Sequence, residues 1–404
     1  MTKSLNETPN ASRLHIGFFG KRNSGKSSLI NAFTGQEVSI VSDTAGTTTD
    51  PVYKAMEING LGACVLIDTA GFDDVGELGQ IRVEKTKEAA EKTDIAVVVF
   101  SDYEIEKELL WIESFKQRKT PIVAVIGKTD VVEAPQRLAE IIEEKTSIKP
   151  IEVSALHKKG IEELKQELIR LLPEDFEMPS ITGALAKEGD TVLLVMPQDI
   201  QAPKGRLILP QVQTTRDLLD KKCVVISVTL DKLNQALDTL KQPPKLIITD
   251  SQVFKSVYEL KPKETVLTSF SVLFAAYKGD LPYYFEGAKA VEGLNENSKI
   301  LIAECCTHAP LSEDIGREKI PKLLRKRFGQ NLKIDIVGGT DFPQDLSEYD
   351  LIIQCGGCMF NRKYIMSRIQ RAKNQNIPMT NYGVLLAHLS GLVIKEDRTA
   401  QCSL

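Results

Sequence analysis

The chain has 404 residues, 42% of them hydrophobic and 26% charged, a balance typical of folded globular proteins that excludes a largely disordered chain. Its length is more than twice the roughly 150 residues of an average domain, so we expect two or three domains. The formal net charge of −4 is too close to zero for a general binder of nucleic acid. We therefore do not expect a nucleic-acid partner, and the charge balance does not exclude a local nucleic-acid site.

The sequence shows no export or membrane signal. Residues 1–13 are polar and are expected to form a flexible tail, without the apolar stretch of a secretory signal. The longest apolar runs, such as IAVVVF at 95–100, are far shorter than the roughly 20 residues that span a membrane. We expect a cytoplasmic protein, in which clustered cysteines indicate metal binding rather than disulfides.

Residues 14–174 alternate apolar strand segments with amphipathic helix segments. The predicted strands are RLHIGFF, KAMEI, ACVLID, IAVVVF, PIVAVIG and PIEVSA, with helices from about Ser27 and near 80–92, 104–117, 134–145 and 160–172. This alternation predicts an α/β domain with a doubly wound, mostly parallel sheet. The turn Asn59-Gly60 predicts one antiparallel hairpin at the sheet edge.

A second α/β pattern follows a predicted linker at 175–188. A central unit at 189–262 has the strands TVLLVMP, CVVISV and KLIITD, and ends at a weak break around KPKE. The last two of these strands are apolar along most of their length, so a second copy of the chain is expected to cover one face of the sheet. The third unit, 263–404, has the strands KILIAE, NLKIDIV and LIIQ and a long basic helix from about Asn361 to Asn374.

Residues 20–27, GKRNSGKS, match the GxxxxGKS phosphate-binding loop and lie between a predicted strand and a predicted helix. Backbone N–H groups of the loop would bind the phosphates, Lys26 would contact the β- and γ-phosphates, and Ser27 would bind Mg²⁺. The predicted nucleotide-binding residues of this segment are Gly20, Asn23, Ser24, Gly25, Lys26, Ser27 and Ser28.

Two later segments complete a phosphate and magnesium site. Asp68-Thr69-Ala70-Gly71 follows a strand and places a carboxylate near Mg²⁺ and the N–H of Gly71 near the γ-phosphate. Gly46-Thr47-Thr48-Thr49 supplies hydroxyl groups in a loop of the kind that becomes ordered around Mg²⁺ and the γ-phosphate.

The base is predicted to be guanine. Asp130, in the segment Gly127-Lys128-Thr129-Asp130, follows a strand, and its carboxylate can accept the N1–H and the amine of guanine, donors that adenine lacks at those positions. Ser154-Ala155-Leu156 follows the next strand. The predicted base-binding residues are Lys128, Asp130, Ser154 and Ala155.

The motifs AGTTTD at 45–50 and DTAGF at 68–72 resemble the translation-factor-related GTPases, in the branch of the tRNA-modifying protein MnmE. The resemblance implies that Thr48 is the switch threonine, Asp68 the magnesium carboxylate and Asn23 a K⁺ ligand. The expected catalytic residues are Lys26, Thr48 and Gly71, and the expected magnesium ligands are Ser27, Thr48 and Asp68.

Two departures from this pattern affect binding and rate. Gly127 replaces the usual asparagine of the guanine-specificity motif, which is expected to weaken nucleotide binding by roughly 1 kcal/mol or more. Phe72 stands where some small GTPases have a water-positioning glutamine. We therefore expect slow hydrolysis that K⁺ stimulates in place of an arginine finger.

Two cysteine segments also follow strands. Cys355-Gly356-Gly357-Cys358 comes after LIIQ and Cys306-Thr307-His308 after KILIAE, so three thiolates are expected near one centre. Spacing alone leaves open a zinc site with His308 as fourth ligand, an iron–sulfur cluster, or buried redox-active thiols. Adjacent side chains of a strand point to opposite faces, so Cys305 is expected to pack in the core.

A phosphate-loop GTPase followed by CxH and CxxC resembles the [FeFe]-hydrogenase maturation GTPases of the HydF family, over nearly the whole chain. The resemblance implies a GTPase domain, a central dimerisation domain, and a C-terminal domain in which Cys306, Cys355 and Cys358 hold a [4Fe–4S] cluster. Many members have a histidine where this chain has Gln354. His308 and Glu313 are therefore the candidates for the fourth iron ligand.

The same resemblance implies a scaffold and carrier. Such a protein holds a diiron precursor with CO and CN⁻, receives it from the radical-SAM maturases HydE and HydG, and delivers it to apo-[FeFe]-hydrogenase. The expected assembly is a homodimer that can pair into a tetramer. Two alternatives stay open, a regulatory GTPase that senses iron or redox state and a tRNA-modification GTPase like MnmE.

Overall fold

The structure is a computed structural model that describes residues 9–35, 51–71, 77–172, 180–197, 207–305 and 315–389. The chain divides into two compact units, Met1–Met178 and Pro179–Leu404. Each unit contains helices and mostly parallel sheets, so the predicted α/β class is confirmed. None of the described helices is long and apolar enough to cross a membrane.

The first unit has one six-stranded sheet with the order β2-β3-β1-β4-β5-β6. All neighbouring strands are parallel except β2 and β3. Its described strands are β1 Leu14–Gly20, β2 Val52–Ile58, β3 Gly62–Asp68, β4 Ile95–Phe100, β5 Ile122–Ile126 and β6 Ile151–Glu152. Its described helices are α1 Lys26–Thr34, α2 Glu77–Glu91, α3 Glu106–Gln117, α4 Pro135–Thr146 and α5 Ile161–Arg170.

β2 and β3 form the predicted edge hairpin. Ile58 lies opposite Gly62, and Gly60 in the turn has φ +89°, a left-handed conformation that glycine adopts without strain. The turn chemistry of Asn59-Gly60 therefore decides where the only antiparallel pair of this described sheet forms.

Helices cover both faces of this sheet, and β1 and β4 are buried along their whole length. Leu14 and Ile16 pack with residues of α1 and α5, whereas Phe19 packs with residues of α3 and α4. Because both faces are covered, ligands of such a sheet bind at the loops that follow the carboxyl ends of the strands.

The described residues of the second unit form two four-stranded parallel sheets, β10-β9-β7-β8 and β12-β11-β13-β14. The strands are β7 Thr191–Val195, β8 Val224–Val228, β9 Leu246–Thr249, β10 Val266–Ser269, β11 Lys299–Ala303, β12 Lys333–Val337, β13 Leu351–Gln354 and β14 Met379–Asn381. The described helices are α6 Leu209–Asp220, α7 Leu233–Thr239, α8 Phe254–Leu260, α9 Phe270–Lys278, α10 Leu281–Lys289, α11 Ile320–Phe328, α12 Arg362–Asn374 and α13 Tyr382–Leu389.

The central sheet extends beyond the predicted boundary at residue 262. β10 pairs with β9, so residues 266–269, which the predicted boundary placed in the third unit, form a strand of the central sheet. β10 (VLTS) and β14 (MTN) were not predicted, because they lack the apolar run or alternation that indicated the other strands of these two sheets. The strands of the central sheet are buried to different extents. β9 is fully buried, whereas β8 lies at the edge of the sheet, where Val224 is 54% exposed.

The described parts of the predicted tail and linker are packed against the fold. Residues 10–12 form a 3-10 turn, and Ala11 and Arg13 are buried. In the linker, the backbone N–H and the Oγ1 of Thr182 donate to Asp217 Oδ2 at 3.1 and 2.6 Å. Low periodicity in these segments therefore indicates irregular backbone and not an absence of tertiary contacts.

Candidate functional site

The phosphate-binding loop lies between β1 and α1, as predicted. Gly20 ends β1, and Lys26 is the first residue of α1. Gly25 precedes the helix with φ +93°, a conformation in which a residue with a Cβ would be strained. The loop thus presents its N–H groups at the positive end of α1, which favours a bound phosphate.

Lys26 is only 6% exposed, and its Nζ donates to the carbonyl oxygens of Gly20 at 3.0 Å and Lys21 at 2.7 Å. These acceptors are neutral, and a phosphate oxygen would be a stronger acceptor because its charge assists the bond. Elsewhere in the loop, Asn23 has φ +59° and Ser24 is fully buried. Ser28 continues the first turn of α1.

The structure brings together two of the three predicted magnesium ligands. Ser27 Oγ donates to Asp68 Oδ2 at 2.6 Å, and Asp68, at the end of β3, is 3% exposed. A hydroxyl beside a buried carboxylate is an oxygen donor set that suits Mg²⁺. These residues therefore fit the metal, and the third predicted ligand, Thr48, lies outside the described residues.

Gly71 follows β3 and lies directly against the phosphate-binding loop. A Cβ at this position would be 2.5 Å from the backbone nitrogen of Arg22, closer than two non-bonded atoms can approach. Glycine is therefore required for this contact, which keeps the segment after Asp68 beside the loop. Phe72, the next residue, lies outside the described residues.

The predicted base-binding residues lie at the ends of β5 and β6. Ser154 Oγ donates to Asp130 Oδ1 at 2.6 Å, and this bond lowers the pKa of Asp130 below its ordinary value. Asp130 is thus held as a carboxylate, the form that accepts hydrogen bonds from guanine. Ala155 follows Ser154, and the Cγ and Cε of Lys128 are each 3.5 Å from where a Cβ of Gly25 would lie.

Gly127 occupies a confined position. Its N–H donates to Phe100 O at 2.8 Å, and a Cβ added to it would lie 3.0 Å from both Ser24 O and Val99 Cγ1. A larger residue at this position requires its neighbours to move by a few tenths of an ångström. The missing asparagine therefore coincides with close packing of this segment on the phosphate-binding loop.

Motif reasoning missed one contact of this loop. Lys21 Nζ donates to Asp102 Oδ1 at 2.7 Å and to the carbonyl oxygen of Glu104. Both partners follow β4, some 80 residues away in sequence, so no local pattern could indicate them. This ion pair ties the phosphate-binding loop to the neighbouring strand end.

The two cysteine segments lie at neighbouring strand ends, as predicted. β11 and β13 are paired in parallel, with Ala303 opposite Gln354, and Cys355 N donates to Ala303 O at 3.0 Å. The cysteines that follow these strands therefore meet at one edge of the sheet. Cys306, His308 and Glu313 lie outside the described residues, and the described cysteines of this edge are Cys305, Cys355 and Cys358.

Cys355 is surrounded by hydrogen-bond donors. The N–H groups of Cys305 and Gly357 approach its Sγ at 3.0 and 3.4 Å. The pKa of Cys355 is lowered, first by a hydrogen bond from the Cys305 thiol and then, against the effect of burial, by the Gly357 N–H. Cys355 is therefore prepared to be the thiolate, which is the form that binds metals.

Cys305 packs in the core, as predicted, and it also lies at the cysteine site. It is buried, as expected of a core residue, but its sulfur lies beside Cys355 and accepts hydrogen bonds from Gln354 Nε2 at 3.0 Å and Arg368 Nη1 at 3.6 Å. β11 ends at Ala303, so the alternation of strand side chains does not reach Cys305. Burial raises the pKa of this thiol well above its ordinary value.

Two buried cations flank the CxxC segment, and sequence reasoning found neither. Lys278, at the end of α9, is 2% exposed, and burial lowers its pKa to about 8. Arg368, on α12, is 1% exposed, and its guanidinium carbon lies 4.8 Å from the ring centroids of Phe342 and Tyr364. The basic stretch of α12 is therefore not a solvated face at Arg368.

The described residues by themselves contain no group of three His, Cys, Asp or Glu side chains that could hold a metal. Cys355 and Cys358 supply two soft sulfur ligands, and Cys306 follows Cys305, whose N–H contacts Cys355 Sγ. This donor set fits an iron–sulfur cluster or zinc. Cys64 and Cys223 are buried in other parts of the fold, as expected of packing residues.

The first unit contains a P-loop GTPase domain. A family model described as 50S ribosome-binding GTPase matches residues 15–128. The chain is 34% identical over 201 residues to GTPase Der of Wolinella succinogenes, covering 46% of this chain and 41% of that protein. It is 36% identical over 153 residues to the tRNA modification GTPase MnmE of Nitrosomonas europaea, covering 37% and 33%. The chain thus spans less than half the length of these curated relatives.

Among solved structures, Era in complex with MgGDPNP and nucleotides of 16S ribosomal RNA is similar over 53% of this chain and 92% of its own, at 19% identity and a TM-score of 0.36.

The second unit matches two other family models, the hydrogen maturase F dimerization domain at 181–279 and the hydrogen maturase F tetramerization domain at 282–399. The chain therefore belongs to the hydrogen maturase F (HydF) family, with an MnmE-like GTPase domain, and the resemblance seen in its motifs is confirmed. Its dimerization and tetramerization domains support homo-oligomerization.

Proposed function

We propose that this protein hydrolyses GTP to GDP and phosphate with Mg²⁺, and does so in the maturation of [FeFe]-hydrogenase. The observation that best supports hydrolysis is the arrangement of buried Lys26 and the Ser27–Asp68 pair at one edge of the sheet. Lys26 and the metal would offset the charge of the β- and γ-phosphates, and Thr48 and the Gly71 N–H would contact the γ-phosphate. Asn23 would bind K⁺.

The second part of the proposal is that Cys306, Cys355 and Cys358 hold a [4Fe–4S] cluster. Its support is the donor-rich environment of Cys355 and the two buried cations beside it. Three cysteines leave one iron for another ligand, for which His308 and Glu313 are the candidates. Such a centre would supply a docking point for a second metal unit.

The third part concerns cargo and partners. We propose that the protein carries a diiron precursor with CO and CN⁻, received from the radical-SAM maturases HydE and HydG, to apo-[FeFe]-hydrogenase. Family membership supports this role, and homo-oligomerization would present several carrier sites in one assembly. We also propose that the chain consists of a GTPase domain, a dimerisation domain and a cluster-binding domain, in this order.

Anaerobic reconstitution with iron and sulfide, followed by EPR of the reduced protein, tests the cluster. We expect roughly four iron and four sulfide per chain and a [4Fe–4S]⁺ signal. Zinc uptake without a reducible cluster would contradict this assignment.

Infrared spectroscopy of protein co-expressed with the two maturases tests the cargo. We expect bands of CO and CN⁻ that disappear when the loaded protein is mixed with apo-hydrogenase and separated from it again. Loaded protein that never transfers the bands would contradict the carrier role, and co-purified tRNA would favour the MnmE-like alternative.

A further inference from the structure

Lys278 connects the dimerization domain to the CxxC segment. It is the last residue of α9 and lies within the residues that match the dimerization domain. Its Nζ donates to the carbonyl oxygens of Gly357 at 3.1 Å, Cys358 at 3.2 Å and Phe360 at 2.8 Å. An ammonium group has three N–H donors, so all three bind the backbone of this one segment.

This ammonium is buried without a counter-ion among the described residues. Lys278 is 2% exposed, and its contacts there are carbonyl oxygens rather than a carboxylate. Buried lysines are rare unless they are paired, because transfer of a charge out of water is unfavourable. Three carbonyl dipoles offset only part of this cost, so the position calls for a negative charge nearby.

Arg368 repeats this pattern beside the same group of cysteines. It is 1% exposed, and its guanidinium donates to Gly339 O and Gln354 Oε1 and contacts Cys305 Sγ. None of these described partners is a carboxylate. Two buried cations therefore face one group of cysteines, and a centre bound by several thiolates would supply the missing negative charge.

We propose that Lys278 is a positioning residue for the cluster, which holds the backbone of 357–360 in place and offsets the negative charge of the cysteine thiolates. The role rests on the proposed function, since it requires that the cysteines hold a cluster. Because Lys278 ends α9, which belongs to the dimerization domain, this role makes the stability of the cluster depend on that domain. A change in the dimerization domain would thus alter how tightly the iron is held.

The test compares Lys278→Met with Lys289→Met in the full-length chain. Methionine retains most of the aliphatic length and removes the charge and the donors. Lys289 ends the neighbouring helix α10, where its exposed side chain pairs with Glu286, so its variant controls for the loss of one lysine. Circular dichroism and elution volume establish that both variants are folded and assembled like the wild type.

Two measurements follow on each protein. In Lys278→Met, iron release to a chelator should accelerate about tenfold or more, the range seen when groups that orient metal ligands are removed. The ratio of reduced to oxidised cluster at a fixed potential should fall about tenfold, or 59 mV for one electron. Lys289→Met should match the wild type throughout.

The outcomes separate this role from the proposed function. If the wild-type protein holds a cluster and Lys278→Met matches it in iron release and reduction potential, the role of Lys278 is overturned. The proposed function then stays intact. Equal changes in both variants would also overturn it, because they would reflect a general effect of losing a lysine. Wild-type protein that takes up no iron would overturn the proposed function, and the electrostatic role with it.

Discussion

The nucleotide site and the cysteine site both lie where parallel strands end, yet they obtain their positive charge differently. In the nucleotide site, Lys26 belongs to the loop it contacts, and its acceptors Gly20 and Lys21 are six and five residues away. In the cysteine site, Lys278 lies 79 residues before Gly357, the first residue of the segment that it binds.

This difference shows why one site is easily recognised in a sequence and the other is not. A helix N-terminus with a glycine-rich loop forms an anion site from contiguous residues, so its spacing is a reliable motif. A cluster site needs ligands and counter-charges that converge in space from separate elements. The CxxC spacing identifies some of the ligands, while the surrounding charges depend on tertiary packing.

The largest expected effect tests whether the cysteine site is a metal centre. Cys355→Ala should remove nearly all reconstituted iron, because two remaining cysteines cannot hold a [4Fe–4S] cluster. Iron and sulfide analysis after anaerobic reconstitution measures this. Cys223→Ala, which removes a buried cysteine near β8, is the matched control and should keep the wild-type iron content. Full iron in Cys355→Ala would show that the cluster lies elsewhere.

The next effect tests whether the nucleotide site acts separately from the cysteine site. Lys26→Ala should lower GTP turnover by about 10²–10³, the cost of removing one stabilising donor from developing charge. Its iron content should equal that of the wild type. Phosphate release under saturating GTP provides the measurement, with the exposed lysine variant Lys54→Ala on β2 as control. Wild-type turnover in Lys26→Ala would rule out this loop as the site of hydrolysis.

A smaller effect tests the cation expected at the phosphate-binding loop. K⁺ should accelerate hydrolysis over Na⁺ by about tenfold, equivalent to roughly 1.4 kcal/mol of barrier. Asn23→Ala should lose this difference while hydrolysing at the wild-type rate in Na⁺. The measurement is GTP turnover in KCl and in NaCl at equal concentration. Equal wild-type rates in both salts would contradict a role of Asn23 in binding K⁺.

The smallest effect concerns the confined position of Gly127. Gly127→Asn restores the side-chain amide of the guanine-specificity motif and should tighten GTP binding about fivefold, or ~1 kcal/mol. Gly127→Ala adds the Cβ, 3.0 Å from Ser24 O, without the amide, and should give no gain. Calorimetric titration compares the two, and equal affinities would mean that the absence of asparagine does not weaken this site.

Apolar runs and turn chemistry predicted most strands of the described sheets. The strands of the GTPase domain and the Asn59-Gly60 hairpin lie as expected, because alternation and turn chemistry are local properties. β10 and β14 escaped prediction, because VLTS and MTN lack the apolar runs of LIIT in β9 and LIIQ in β13. Cys305 packs in the core as predicted. Strand alternation could not indicate the contacts of its sulfur with Gln354 and Arg368, because β11 ends two residues before it.

The sequence by itself determined the α/β class, the phosphate-binding loop with the Ser27–Asp68 pair beside it, and the placement of two cysteine segments after strands. Each of these depends on spacing along the backbone or on the rule that neighbouring parallel strands end at one edge. Only the tertiary structure decided that Lys278 and Arg368 are buried beside the CxxC segment. Charges interact according to their distance in space and their exposure to water, and neither quantity is encoded in the spacing of residues along the chain.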